Sequence, residues 1–318
     1  MKKIFIDGSA GTTGLRIYER IENQEGVEVI RLSDDRRKDY NSRKEAINSA
    51  DIVMLCLPDD AAREAVGMIE NDNTVVIDTS TAHRTEPGWA YGFPELSAEF
   101  DGKIRHSKRI AVPGCHASGF IALVYPLLEA GIITPDTELT CHSVTGYSGG
   151  GKKMIAQYER EGRGISLDSP RQYGLSQTHK HLKEMKAVTG LLKEPIFCPI
   201  VSDFYSGMAV TVPLFKSMLN GGKSVCDIKK IYGRKYNSDI VRYAECSDDG
   251  GFLPANKLSG KDNMEVSVFG NDERILLTAR YDNLGKGASG AAIECLNIVL
   301  GNEKTKNLSI SADKEETI

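Results

Sequence analysis

The stretch KKIFIDGSAGTTGLRIYERI, residues 2–21, decides the fold. Its first six residues form a short, mostly apolar run, and Gly8, Gly11 and Gly14 follow at once. Beyond them Leu15, Tyr18 and Ile21 recur every three residues, as on one helix face. A strand, a glycine-rich turn and a helix in that order open an α/β unit. Small residues at such a turn let backbone approach a pyrophosphate at the helix N-terminus. The spacing is GxxGxxG rather than GxGxxG, and the competing reading is a tight strand–helix turn that only packs on its neighbour. Its place at the head of a βαβ series favours a dinucleotide site.

Working outward, VEVIRL (27–32), DIVMLCL (51–57) and TVVIDTS (74–80) read as further strands, with helices between them. Ser42 and Glu45 stand in capping-box spacing and predict a helix start at Ser42. PDDAAREAVGMIE (58–70) is helical, with acidic residues in its first turn. After about residue 120 the rhythm changes to longer, β-rich runs (138–148, 195–204, 207–215, 264–270, 274–282). The expected class is therefore α/β: a Rossmann-type doubly wound parallel sheet plus a second α+β domain with a mixed or antiparallel sheet. KGASGAAIECLNIVLG (286–301) puts Ala288, Ala291, Ala292, Cys295, Leu296, Val299 and Leu300 on one stripe, a strongly patterned helix. The polar residues from Asn302 onward read as a loose tail.

With 318 residues the chain has room for two domains. A net charge of −4 gives no electrostatic reason to expect nucleic-acid or membrane binding. Seven scattered cysteines without a CxxC pair fit reduced thiols rather than disulfides or zinc. The apolar part of MKKIFIDGS stops at Asp7, too short for a signal peptide, so a cytoplasmic location is expected.

Four stretches carry chemistry. SDDRRKD (33–39) offers Asp34 or Asp35 for a ribose hydroxyl, or Ser33, Arg36 and Arg37 for a 2′-phosphate. Three successive cations favour NADP over NAD. In AVPGCHASGF (111–120) a proline and a glycine precede Cys115, and a helical pattern begins at or just after it. A thiol there feels the helix dipole and unpaired N–H groups, which favour thiolate. Burial is the competing reading, and it applies to Cys56 and Cys295. QTHKHLKEM (177–185) supplies His179 and His181 as proton carriers, with Glu184 placed to orient an imidazole. The HxH pair lacks a third and fourth metal ligand, so no metal is expected. Finally TGYSGGGKK (145–153) is a glycine-dense turn whose N–H groups and Lys152 could hold a phosphate or carboxylate, or which could be a flexible connector.

Together these segments resemble the N-acetyl-γ-glutamyl-phosphate reductase family of arginine biosynthesis, in its shorter form. The resemblance runs from IFIDGSAGTTG through DTSTAHR (78–84), GFPEL (92–96), VPGCHASGF, TGYSGGGK and SQTHKHLKEM to FYSGMAVTVPL (204–214) and DNLGKGASGAA (282–292). It implies an enzyme related to aspartate-semialdehyde and glyceraldehyde-3-phosphate dehydrogenases, a homo-dimer or homo-tetramer acting on a small acyl phosphate. An NADP-binding domain over 1–115 and 284–302 is implied, with a catalytic and oligomerisation domain over 116–283 and a polar tail over 303–318. Cys115 matches the nucleophile. His181 is favoured over His179 as acid–base because Glu184 follows it at the family's spacing. Cofactor contacts are implied at Gly8, Ala10, Gly11, Thr12, Thr13, Gly14, Ser33, Arg36, Arg37, Ser80, Ser148, Gly149, Asn283, Gly285 and Lys286. Substrate contacts are implied at Arg84, His116 and Lys152. The chain departs from the pattern with VPG where many relatives have NPG, and with lysine where proline is common in HKHLKE. The alternatives are an aspartate-semialdehyde dehydrogenase and, from another class, a non-catalytic dinucleotide sensor.

Overall fold

In the computed structural model, which describes residues 1–311, the opening apolar run becomes β1 (Lys2–Asp7), buried from Ile4 onward. The chain continues through α1 (Thr12–Ile21), β2 (Val27–Ile30), α2 (Tyr40–Ser49), β3 (Ile52–Leu55), α3 (Asp59–Gly67) and β4 (Val75–Asp78). Next come β5 (Ala90–Tyr91), α4 (Ala98–His106) and β6 (Arg109–Ala111). These six strands form one all-parallel sheet in the order β2-β1-β3-β4-β6-β5. Strand side chains alternate between faces, and both faces are covered, so the strands read as continuous apolar runs. Ile4, Ile6, Met54 and Ile110 pack with Ile17 of α1 and Ile104 of α4. Phe5, Val53 and Val76 pack on the opposite face with Ala46, Ile47, Ala62 and Ala65.

The second half begins with α5 (Cys115–Glu129), then β7 (Thr140–Gly146), α6 (Gly151–Glu159), β8 (Arg171–Gln172) and α7 (His181–Thr189). It continues with β9 (Ile196–Ser202), β10 (Met208–Phe215), α8 (Val225–Lys235), β11 (Val241–Tyr243), β12 (Met264–Gly270) and β13 (Arg274–Tyr281). The seven strands make a mixed sheet, β11-β12-β13-β10-β7-β9-β8. Its β10–β13, β10–β7, β12–β13 and β8–β9 pairs are antiparallel, whereas β7–β9 and β11–β12 are parallel. The helix α5 is apolar nearly all round and correspondingly buried, packing with Val210, Val212, Leu277 and Ala279 of this sheet. Its internal Pro126 lacks the N–H that would bond the Ala122 carbonyl, and the Tyr236 hydroxyl donates there instead, at 2.6 Å.

After β13 the chain returns to the first sheet as α9 (Gly290–Leu300). Ala291, Ala292, Ile293, Cys295 and Leu296 complete the core around Ile4, Ile6 and Ile110. No helix among the described residues is long and apolar enough to cross a membrane.

Three local expectations change. The second helix starts at Tyr40, not Ser42. Asp39 caps it by accepting the Ser42 N–H at 2.7 Å, which moves the start back by most of a turn. The stripe from Ala288 does not begin in an α-helix, because Gly285–Ser289 form a π-helical turn with the Gly287 N–H bonded to the Asp282 carbonyl. The tail is held down as far as Ser311. Ser309 N–H donates to the Asp262 carboxylate, the Asp262 N–H donates to the Ser309 carbonyl, and Leu308 and Ile310 pack on the core. The rest of the expected tail, 312–318, lies outside the described residues.

Candidate active site

The turn between β1 and α1 is built by close backbone approach. Gly8 has φ +88°, and a Cβ there would lie 2.3 Å from the Cys56 carbonyl oxygen. A Cβ on Gly14 would lie 2.4 Å from the Gly8 carbonyl oxygen, so α1 can start this near only without a side chain. Gly11 caps α1 with no side-chain bond to the first-turn N–H groups. The result is a cradle of bare backbone at the N-terminus of α1, the kind of site that suits a phosphate group. A cavity of about 680 Å³ runs from Gly8, Ala10 and Gly11 toward Arg31, Arg37 and Lys38. At Gly11 and Cys56–Pro58 it adjoins a second cleft of about 780 Å³, which Cys115, His116, His179 and His181 line.

Cys115 is the first residue of α5, and Gly114 before it caps the helix without a side chain. Burial pushes the Cys115 thiol up, while the Arg84 guanidinium and the His116 N–H pull it down. The turn itself is held by Glu184. One carboxylate oxygen accepts the Gly114 N–H at 2.8 Å and the Tyr91 hydroxyl at 2.7 Å; the other accepts Arg84 Nη1 at 3.0 Å. The side chain expected to orient an imidazole is thus engaged with the turn before Cys115 and with Arg84. Arg84 donates also to the Val112 and Thr79 carbonyls at 2.9 and 3.0 Å, which fixes it as part of the wall.

His181 opens α7 and is buried. Burial foremost, then Arg84 and the neighbouring histidines, lower its pKa well below the usual imidazole value, so it is neutral. Its Nδ1 is buried without a hydrogen-bond partner among the described residues. Its Nε2 lies 2.5 Å from where a Cβ on Gly114 would be, so glycine at 114 makes room for the ring beside the turn that leads into Cys115. His179 Nδ1 accepts the His181 N–H at 3.3 Å, and the two rings meet edge to face at 4.7 Å. His116 is neutral as well, pushed down to about 3 by burial. Both its nitrogens are engaged within the protein, Nδ1 2.6 Å from Ser143 Oγ and Nε2 2.7 Å from the Tyr173 hydroxyl. Among the described residues no group of three or more His, Cys, Asp or Glu is arranged to hold a metal.

Of the other expected residues, Thr12, Thr13, Ser80, Gly149 and Asn283 line the central cleft. Ser148 lies behind them, accepting from Asn283 Nδ2 at 3.0 Å. Arg37 borders the outer cavity and pairs with Asp34 at 3.2 Å. Arg36 does not join it; its Nε donates to Ser42 Oγ at 3.1 Å, and the Ser33 carbonyl is taken by the Arg36 and Arg37 N–H groups. Lys152 is exposed on α6 and lines neither cavity. Gly285 packs away from the cleft, where a Cβ would lie 2.0 Å from the Lys261 carbonyl oxygen. Lys286 departs furthest from expectation. The π-helical turn sends its ammonium inward between Glu95, at 2.8 Å, and Glu294, at 2.5 Å. Burial pushes Glu294 up to about 8 in this cluster. Tyr91, Ser143 and Tyr173 were not marked by any motif, since each acts through a contact far away in the chain.

Related proteins place the chain in a family. The semialdehyde dehydrogenase NAD-binding domain family matches residues 3–100, and the semialdehyde dehydrogenase dimerisation domain family matches 115–283. N-acetyl-gamma-glutamyl-phosphate reductase 2 of a Nostoc species is 44% identical over 94% of this chain and 97% of its own length. N-acetyl-gamma-glutamyl-phosphate reductase 2 of Pseudomonas putida and N-acetyl-gamma-glutamyl-phosphate reductase of Brucella ovis are 41% and 43% identical over 94% of the chain, covering 96% and 99% of theirs. Among solved structures, aspartate semialdehyde dehydrogenase of Francisella tularensis superimposes with a TM-score of 0.71 at 12% identity, covering 94% of this chain and all of its own. Aspartate semialdehyde dehydrogenase II of Vibrio cholerae gives 0.70 at 14% identity, covering 95% and 98%. The chain binds a nicotinamide dinucleotide, and it belongs to the semialdehyde dehydrogenase family, among its N-acetyl-gamma-glutamyl-phosphate reductases.

Proposed function

We propose that the chain catalyses NADPH-dependent reductive dephosphorylation of N-acetyl-γ-glutamyl phosphate to N-acetyl-glutamate 5-semialdehyde. The observation that carries the reading is Cys115 at the first position of α5, in one cleft with His181 and the Gly11–Thr13 end of the backbone cradle. His181, neutral, takes the thiol proton. Cys115 Sγ attacks the γ-acyl carbon, and the first-turn N–H groups of α5 face the oxyanion that forms. The acyl C–O bond breaks, phosphate leaves with the electron pair and receives the proton from His181, and a thioester remains on Cys115. A reduced dinucleotide, when bound, supplies hydride to the thioester carbon. Collapse of the resulting tetrahedral carbon releases the aldehyde and Cys115 as thiolate, and a proton from solvent, carried by His181, restores the thiol.

The preference for NADP rests on Arg31, Arg37 and Lys38 at the outer end of the cavity, a donor set suited to a 2′-phosphate. The same proposal divides the chain into a cofactor domain over 1–115 with 284–302 and a catalytic domain over 116–283. Exposed Phe215 and Leu276, on paired strands of the mixed sheet, support homo-oligomerisation through that sheet. Seven free cysteines support a reducing, cytoplasmic setting.

The test is oxidation in the reverse direction, with phosphate, of N-acetyl-glutamate semialdehyde and aspartate semialdehyde, each with NADP and NAD. The acetylated substrate with NADP is expected to give the highest kcat/KM. A preference for aspartate semialdehyde overturns the substrate, and a preference for NAD overturns the cofactor.

A further inference from the structure

We infer that Tyr281 is a positioning residue for the nucleophile, its buried hydroxyl set into the first turn of α5 to hold the Cys115 peptide in its reactive orientation. The inference rests on the covalent role proposed for Cys115. Tyr281 ends β13 and is wholly buried. Its hydroxyl donates to the Cys115 carbonyl and accepts the Gly119 N–H at 2.9 Å. Along α5 the Gly119 N–H and the Cys115 carbonyl stand four residues apart, the pair that an α-helix joins. Here a hydroxyl from another element serves both groups.

Space for it comes from Gly119, where a Cβ would lie 2.6 Å from the hydroxyl and 2.6 Å from Val210 Cγ2. Ahead of the cysteine, Glu184 holds the Gly114 N–H. Beside it, Gly287 comes so close that a Cβ there would stand 3.0 Å from the Cys115 Cβ. Backbone on both sides of Cys115 is therefore tied to side chains from α7 and β13, in addition to its own helix. Burial keeps the Tyr281 hydroxyl protonated by raising its pKa well above the usual phenol value, so it remains a donor.

The fold supplies its own control. Tyr236 is also buried and also donates to an α5 carbonyl, that of Ala122, two turns from the nucleophile. Tyr236→Phe removes one such bond from the helix, and Tyr281→Phe removes one together with the bond from the Gly119 N–H. The experiment measures thermal unfolding, kcat and KM in the reverse assay, and the pH profile of Cys115 alkylation by iodoacetamide, on the full chain. Both variants are expected to lose thermal stability, Tyr281→Phe the more because it gives up two bonds. Only Tyr281→Phe is expected to lower kcat by about tenfold, with KM changed less than about twofold, and to shift the alkylation profile. Gly119→Ala displaces the same hydroxyl from the helix side and is expected to shift that profile too. Equal kcat losses in the two tyrosine variants overturn the inference, as does an unchanged alkylation profile in Tyr281→Phe and Gly119→Ala. Alkylation does not depend on the substrate, so a wrong substrate assignment leaves this test intact. Turnover retained by Cys115→Ser would overturn the covalent reading instead.

Discussion

Two junctions in this molecule share one plan, a strand that passes through glycine into a helix. At Asp7–Thr12 the turn is held by its own neighbourhood: the Gly11 N–H bonds the Gly8 carbonyl at 2.9 Å, and missing side chains let backbone close on Cys56. At Ala111–Cys115 the turn is held from afar, by Glu184 70 residues on and Tyr281 166 residues on. Under the proposed reaction the difference follows from what each presents. A cradle for a diphosphate offers backbone, and absent side chains suffice. A nucleophile offers one sulfur atom, whose position to within an ångström has to be imposed by neighbours.

Substitutions can break this contrast. Cys115→Ser is expected to cut turnover by at least about a thousandfold while leaving dinucleotide affinity unchanged in a calorimetric titration. Glu184→Gln leaves Arg84 without its buried counter-ion and loosens the Gly114 amide. It is expected to lower kcat by about 10–100-fold and to cost about 3 kcal/mol in denaturant unfolding, again sparing dinucleotide affinity. Gly8→Ala should do the reverse. Strain at φ +88° and the clash with Cys56 are expected to cost about 3 kcal/mol and about tenfold in dinucleotide affinity, with Cys115 still alkylated at the parent rate. If Gly8→Ala slows alkylation as much as it weakens binding, the two junctions are not independent.

The smallest effect sharpens the second junction through pH. Only the thiolate alkylates, and burial raises the Cys115 pKa against the pull of Arg84. The alkylation rate of the ligand-free chain is therefore expected to keep rising with pH after a small free thiol has levelled off. Levelling at or below the free-thiol value contradicts this. His181, kept neutral by burial and then by Arg84, adds no protonation step near the usual imidazole value.

The same contrast explains what could be read from sequence. Gly8, Gly11 and Gly14 announce themselves because their roles are settled within a few residues. Cys115 is marked by its place at a helix start and His181 by Glu184 three residues on, and both do line one cleft. The partners that hold them are not so marked. Glu184 was visible, yet its oxygens serve Gly114, Tyr91 and Arg84, and only folding reveals that. Lys286, which the family resemblance implies as a cofactor contact, sits in a π-helical turn that buries its ammonium between two carboxylates. Asp39 outcompetes Ser42 as a cap because it reaches the N–H of the third helical residue. The alternation of strand and helix up to Ala111 carried the first sheet, whereas the order of the mixed sheet depends on pairings such as β10 with β13 that no local pattern encodes.

One face of the first sheet is closed by α9, which follows β1 by more than 280 residues. On the ribosome this has a cost in time. The strands bearing Ile4, Ile6 and Ile110 emerge long before Ala291, Ile293 and Leu296 arrive to cover them. The nascent first half must therefore wait, with an apolar surface uncovered, while the whole mixed sheet is synthesised. Chain order thus makes the dinucleotide half the first to begin folding and among the last to finish, and such an intermediate is the kind of surface that chaperones bind.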